Sequence, residues 1–338
     1  MDLTEYPSVS LHNVAETVPA EWADDGDRLC RVPASVGAEL NDSARDRVRH
    51  ATGGELRFVP TDDDAEIEVT LSAEEETQFH GFWGAFQPWK PTDLGPEPET
   101  FTFSVPERLA ELTTTEGLGR FDPRVCRILF ERAPAVAVHD VSGDCRPPED
   151  DELPDRRYLA YGTSITEGAT ASAPHADYVT KVARELGVDA LNFGCSGSAY
   201  CEGAMADYVA ARDDWDVATL AMSVNMANAD FSPAEFRERV EYFANTVAAA
   251  HPEKPVACLT LFPYFADVTE SGDADHARAY REAVRSVVAE SPHDNLFVVE
   301  GSELMELSGL ASDLLHPGDD GMEAIGEGVA ARLADRLD

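Results

Sequence analysis

Lysine is almost missing from this 338-residue chain: only Lys90, Lys181 and Lys254 occur, and with arginine the basic residues number 26 against 65 Asp and Glu. The formal net charge of −39 makes nucleic acid an improbable ligand, because a polyanion would be repelled everywhere. The acids are spread along the whole chain instead of gathered in one block, which argues against a single cationic partner. In concentrated salt the Debye length shrinks to roughly 3 Å at 1 M, the self-repulsion fades, and a carboxylate-rich surface keeps the protein hydrated. The expected setting is therefore a salt-rich cytoplasm.

Cysteine is scarce and scattered, at 30, 126, 145, 195, 201 and 258, with no C-x-x-C pair, so neither a zinc site nor a disulfide framework is expected. No stretch approaches the roughly 18 apolar residues of a membrane span. The opening residues, Met1 to Pro7, lack the basic start and apolar core of a signal peptide, so neither export nor a membrane partner is expected. Internal repeats and low-complexity tracts are missing as well.

What is present is enough apolar material, 43%, to bury a sizeable core, and a change of pattern midway along the chain. From about residue 8 to 142, short β-branched and aromatic runs are set off by turn residues: 56–60, 66–71, 101–105 and 126–130. In 66–71 polar and apolar side chains alternate, as on a strand with one buried face. Residues 1–142 thus read as an all-β sandwich. Residues 143–157, polar and proline-rich, read as a linker. Residues 158–338 alternate strand-like runs, at 158–161, 189–193, 217–224, 256–262 and 296–299, with helical stretches, the pattern of a parallel sheet with crossover helices. Ser232-Pro233-Ala234-Glu235 offers a capping box, and Phe236, Val240, Phe243 and Val247 then recur at helical spacing.

In such a sheet reactive groups collect at the carboxyl ends of the strands. Ser164 follows the first strand, Gly194 to Gly197 the second, Ser223 to Asn225 the third, and His316 a loop after the fifth. Serine is a poor nucleophile until a base takes its proton, and an Asp three residues before a His could supply an oriented imidazole. Each feature has a plainer reading: the Gly162-Thr163-Ser164 turn could only cap a helix, Asn225 could satisfy its own turn, and Asp313 with His316 could be a loop hydrogen bond.

Taken together, the blocks Gly162-Thr163-Ser164-Ile165, Asn192-Phe193-Gly194-Cys195-Ser196-Gly197, Ser223-Val224-Asn225 and Asp313-Leu314-Leu315-His316-Pro317 resemble the SGNH hydrolase superfamily, also called the GDSL esterases and lipases. The resemblance covers roughly 156–338, with a looser likeness to members that carry an N-terminal β-sandwich. It implies a flavodoxin-like α/β domain of a parallel sheet with flanking helices behind a jelly-roll-like sandwich. Carried over by position, Ser164 would be the nucleophile, His316 the general base and Asp313 the group that orients the imidazole. The backbone N–H groups of Ser164 and Gly197 and the side-chain amide of Asn225 would form the oxyanion hole. Three positions depart from the family pattern: Thr163 replaces the usual acid, Ser223 a glycine, and Met226 an aspartate.

The resemblance implies a serine esterase without metal or organic cofactor, acting on a small acyl ester such as an acetylated sugar. An acyltransferase with the same triad and an inactive carbohydrate-binding protein are the alternatives. The sequence leaves the oligomeric state open. The aromatic segment Phe82-Trp83-Gly84-Ala85-Phe86-Gln87-Pro88-Trp89 is read as packing within the sandwich or at the domain interface, with a sugar-stacking platform or a lid as the functional alternative. His175 and His276 are alternative bases in principle, each placed near a helix start at the surface. The acidic runs 62–64 and 149–152 read as solvated surface, not as metal ligands.

Overall fold

A computed structural model describes residues 6–114 and 116–337; residues 1–5 of the opening stretch lie outside them. The chain forms two compact units, one of residues up to 34 with 48–155, the other of 35–47 with 156 onward. Thus a thirteen-residue insertion from the first third of the chain belongs to the second unit.

The first unit is all-β. Its strands are β1 (Ser10–His12), β2 (Glu16–Pro19), β3 (Asp27–Cys30), β4 (Glu55–Pro60), β5 (Ile67–Ala73), β6 (Thr77–Trp83), β7 (Thr92–Leu94), β8 (Glu99–Phe103), β9 (Cys126–Phe130), β10 (Val136–Ser142) and β11 (Cys145–Arg146). Between β3 and β4 run two short helices, α1 (Ala34–Gly37) and α2 (Asp42–Arg47), which fall largely in the insertion, and α3 (Glu107–Ala110) follows β8. One sheet runs β1-β4-β9-β6-β7, with β11 also on β4; the other runs β2-β3-β10-β5-β8. Because β11 pairs with β4 and a 3-10 turn follows at Asp150–Glu152, the stretch expected as a linker is largely built into this unit.

Alternate residues of the facing strands fill the space between the sheets: Leu56 and Phe58 of β4, Ile128 and Phe130 of β9, Val69 and Leu71 of β5, Val136 and Val138 of β10. On the other face of β4 and β9, Glu55, Arg57 and Arg127 are charged and still buried. Glu55 accepts from Arg57 Nε at 2.6 Å and from Arg127 Nε at 2.8 Å, while the Arg127 guanidinium lies 3.7 Å from the centre of the Phe121 ring. Burial alone would raise the Glu55 carboxyl, but Arg127 and Arg57 hold it down to about 2. Arg127→Met should therefore leave the buried Glu55 carboxylate with Arg57 as its remaining guanidinium partner and cost about 3–5 kcal/mol in urea unfolding at fixed salt. With its folded value depressed, Glu55 contributes stability above the ordinary carboxylate range and loses it as pH falls through about 2. Arg127→Met should flatten that acid limb, and an unchanged one would refute the assignment.

The second unit holds a five-stranded parallel sheet, β12 (Arg157–Gly162), β13 (Asp189–Gly194), β14 (Val217–Ala221), β15 (Val256–Leu259) and β16 (Leu296–Val299), in the order β13-β12-β14-β15-β16. Its helices are α4 (Ser164–Glu167), α5 (Tyr178–Leu186), α6 (Gly203–Ala210), α7 (Val224–Ala227), α8 (Pro233–Ala250), α9 (Phe265–Val268), α10 (Ala274–Glu290) and α11 (Asp319–Leu337). Ser232 and Glu235 close the capping box that starts α8, and Phe236, Val240, Phe243 and Val247 are buried along one stripe. Phe243 stacks on Tyr161 of β12, ring centres 4.5 Å apart, which seats α8 under the strand that leads to Ser164. The chain leaves β12 toward β13 on one side and returns to β14 on the other. That reversal opens a crevice at the carboxyl end of β12.

Candidate active site

The turn after β12 settles which residue caps the short helix. Thr163 has extended backbone, φ −94° and ψ −158°, and its hydroxyl accepts from Ile165 N at 3.4 Å. Capping by Thr163 leaves the neighbouring hydroxyl available. Ser164 Oγ lies 2.8 Å from His316 Nε2.

His316 is held from its other side. Its Nδ1 is 2.7 Å from Asp313 Oδ2, and Asp313 Oδ1 accepts from the backbone N–H groups of Leu315 and His316 at 2.9 and 3.0 Å. Burial pushes the Asp313 carboxyl up, but the His316 ring and the two backbone donors outweigh it and hold it below its ordinary value. A carboxylate only accepts, so the imidazole proton sits on Nδ1 and Nε2 faces Ser164 with a lone pair. The loop is fixed by Ala311 N to His316 O at 2.7 Å, by Phe265 N to Leu314 O at 2.6 Å, and by Thr170 Oγ1 to Pro317 O at 2.7 Å. Leu314 takes a positive φ of 54°, a strained conformation for leucine that those bonds maintain.

The other two blocks meet the same rim. Cys195 N donates to Gly162 O at 2.9 Å, which ties the end of β13 to the residue two before Ser164. Gly197 has φ +67°, a conformation that favours glycine. Asn225 does not satisfy its own turn: its Oδ1 accepts from Ala199 N at 3.1 Å, which directs the amide nitrogen away from that contact. Ser164, His316 and Asp313 thus form one hydrogen-bonded chain, and Gly197 and Asn225 are joined through the loop that follows β13.

Several supporting groups had no assigned role from sequence. Asn192 donates to Thr166 O at 2.7 Å and to Asp177 Oδ2 at 3.2 Å, and its Oδ1 accepts from Gly194 N at 2.8 Å. Asp177 caps α5 through Thr180 N at 2.6 Å, and burial raises its carboxyl to about 7. Asn192 stands inside a block already quoted, Glu167 lies two residues beyond the first block, and Asp177 has the sequence signature of a helix cap. Asn41, whose Nδ2 donates to Ser198 O at 2.9 Å, carries no such signal, since 157 residues separate the pair.

A narrow slot with about 10 Å³ of free room lies between the carboxyl ends of β14 and β15. It is lined by Thr163 and Ile165, the residues on either side of Ser164, with Ser223, Val224, Leu261 and Phe262. Room of about 10 Å³ holds one water-sized group. Ser223, the departure in the third block, turns a buried hydroxyl into this region that finds no protein partner.

The remaining candidates lie elsewhere. His276 stands in the first turn of α10 and packs on Tyr280, centres 4.8 Å apart, and His175 lies in a 3-10 turn. Phe82 and Trp83 are buried in β6, as packing residues should be, whereas Trp89 is fully exposed. Among the described residues no cluster of three His, Cys, Asp or Glu is arranged to hold a metal ion, and no helix is long and apolar enough to cross a membrane.

Parallel sheet, strand-end serine and loop histidine define an α/β domain of the SGNH hydrolase kind, preceded by an all-β domain. Residues 160–324 match the model of the GDSL-like lipase/acylhydrolase family, and this part of the chain belongs to it. A salicylyl-acyltransferase from a tetracycline biosynthetic pathway is similar over 97% of this chain and 95% of its own, with a TM-score of 0.76 and 13% identity. A family two carbohydrate esterase from Cellvibrio japonicus is similar over 98% and 96%, with a TM-score of 0.67 and 13% identity. Another, from Clostridium thermocellum in complex with cellohexaose, covers 84% and 92%, with a TM-score of 0.61 and 16% identity. At such identities these likenesses bear on the fold alone. No curated protein matches the chain by sequence.

Proposed function

We propose that the protein is a serine esterase that removes a small acyl group, acetyl before others, from a carbohydrate or another polar alcohol. The carrying observation is the continuous chain from Ser164 Oγ through the His316 ring to Asp313, with separations of 2.8 and 2.7 Å. In this reading His316 Nε2 takes the Ser164 proton as Oγ attacks the ester carbonyl, and Asp313 steadies the imidazolium that forms. The oxyanion is received by the N–H groups of Ser164 and Gly197 and by Asn225 Nδ2, donors worth about 10²–10³ in rate each. His316 then protonates the leaving alkoxide, and water releases the acyl group by the same path in reverse.

The narrow slot beside Thr163 and Ile165 favours a two-carbon acyl chain, and the surface charge favours a salt-rich cytoplasm as the working medium. The test is a fluorophosphonate probe in molar potassium chloride, followed by a screen of p-nitrophenyl esters and acetylated sugars. Ser164 should be labelled, Ser164→Ala should not, and acetyl esters should outrun hexanoyl esters by at least about tenfold in kcat/KM. Labelling of a different serine in folded protein would sink the reading.

A second reading, acyl transfer to an alcohol, draws on the full-length likeness to an acyltransferase. The same acyl-Ser164 would form in either case. Supplying a competing alcohol with the acetyl ester and measuring transfer product against free acetate separates the two.

A further inference from the structure

We infer that Glu167 is a positioning residue of the oxyanion hole, aligning the Gly197 N–H through both hydrogen-bond donors of Ser196. The inference rests on the esterase reading, in which Gly197 receives the developing oxyanion. Glu167 is the last residue of α4, three positions after Ser164, and only 1% of it is exposed. Its Oε2 accepts from Ser196 N at 2.9 Å and also from Ser196 Oγ. Two bonds from one residue to one oxygen fix the amide and the side chain of residue 196 together, immediately before the peptide that carries the Gly197 N–H.

The distance from helix to loop leaves no slack. A Cβ built on Gly194 would lie 2.2 Å from Glu167 N, so the end of β13 runs directly against the serine helix and only glycine permits the approach. On the far side of Gly197, Asn41 Nδ2 holds Ser198 O at 2.9 Å and Ser198 N donates to Cys195 O at 3.3 Å. The loop is therefore pinned on both flanks, and Glu167 is the pin that belongs to the same helical turn as Ser164. Nucleophile and oxyanion donor share one frame, as preorganised stabilisation requires. A buried carboxylate in a chain with so much exposed acid is costly unless its bonds are used, and this one is aimed at the loop rather than at solvent.

Because both bonds converge on a single oxygen, the carbonyl oxygen of a glutamine can take them, while aspartate falls one methylene short. With p-nitrophenyl acetate in molar potassium chloride, Glu167→Ala should lower kcat by about 10²-fold with KM within about threefold, as for loss of one oxyanion donor. Glu167→Gln should recover kcat to within about fivefold of the parent, and Ser196→Ala should fall between them. Affinity for a short alkylboronic acid, which imitates the tetrahedral adduct, should drop in parallel with kcat/KM across the series. Should Glu167→Ala fail to fold by near-ultraviolet circular dichroism, Glu167→Asp and Ser196→Ala carry the same comparison. The inference is overturned if kcat in a folded variant that breaks the contact stays within threefold of the parent, if glutamine is no better than alanine, or if boronate affinity does not change. Failure of the esterase reading is recognised separately, by Ser164→Ala retaining activity or escaping no label.

Discussion

His316→Ala is expected to lower kcat on p-nitrophenyl acetate by about 10⁴–10⁶, and adding Ser164→Ala to it should cost almost nothing more. The reason is that the two side chains do one thing. On the esterase reading the imidazole Nε2, 2.8 Å from Ser164 Oγ, serves only to remove and return that proton, and a hydroxyl without a base is no better than water. Once either partner is gone, the residual rate comes from donors that polarise the carbonyl for attack by solvent. Asp313→Asn should behave differently. Its amide would offer a donor where the carboxylate accepts from His316 Nδ1, favouring the wrong tautomer, but the Asp313 side chain is 47% exposed and water can compete for the ring. A loss of about 10²–10³ is expected, less than for a fully buried partner. Steady-state kinetics of the single and double variants in molar salt decide the matter. If the losses multiply in the double variant, Ser164 and His316 are acting independently.

The positions of the candidate site residues were legible in the sequence because Ser164, the Gly194 to Gly197 loop and the Ser223 to Asn225 turn each follow a strand whose apolar run is unmistakable. Strands β12, β13 and β16 fall where the runs at 158–161, 189–193 and 296–299 place them, within a residue or so. Strands β14 and β15 end earlier than their apolar runs, at Ala221 and Leu259, because Met222, Leu261 and Phe262 are buried in rim loops and Val224 opens α7, none of them in the ladder. Apolar sequence reports burial; it cannot tell a strand from a loop packed over the strand ends. In the sandwich the named runs fall on β4, β5, β8 and β9, and the other seven strands were not singled out; among them Glu16–Pro19 is short and mostly polar and Thr77–Trp83 mixes polar, glycine and aromatic residues. The insertion at 35–47 had no compositional edge at all. Its attachment to the second unit depends on Asn41 meeting Ser198 and Glu202, a tertiary fact. Glu167 lies two residues beyond the first block and was not singled out, because its bond to Ser196 spans 29 residues and follows only from how closely β13 approaches α4.

Transfer from molar to millimolar potassium chloride is expected to unfold the protein, with activity and tryptophan fluorescence changing together. At about 10 mM salt the Debye length is roughly 30 Å, so carboxylates on opposite faces of a domain repel one another; near 1 M it is roughly 3 Å, and only neighbours do. With 65 acids against 26 bases, the basic residues cannot neutralise the surface even if every one is paired. Pairs such as Arg237 with Glu241 and Glu290, or Arg285 with Glu282 and Glu300, place one guanidinium between two carboxylates and still leave a net negative charge. Net stabilities of domains are only about 5–15 kcal/mol, so repulsion summed over tens of unscreened charges is sufficient to exceed them. Two controls separate charge from other effects of salt. Sucrose, which strengthens burial without screening, should not restore the fold at millimolar salt. Mild acidification toward pH 5 should restore it in part, because protonating exposed carboxylates lowers the same repulsion, whereas Glu55 at about 2 keeps its buried pairing throughout that range. Equal stability at millimolar and molar salt would show that the acidic surface has some purpose other than life in concentrated salt.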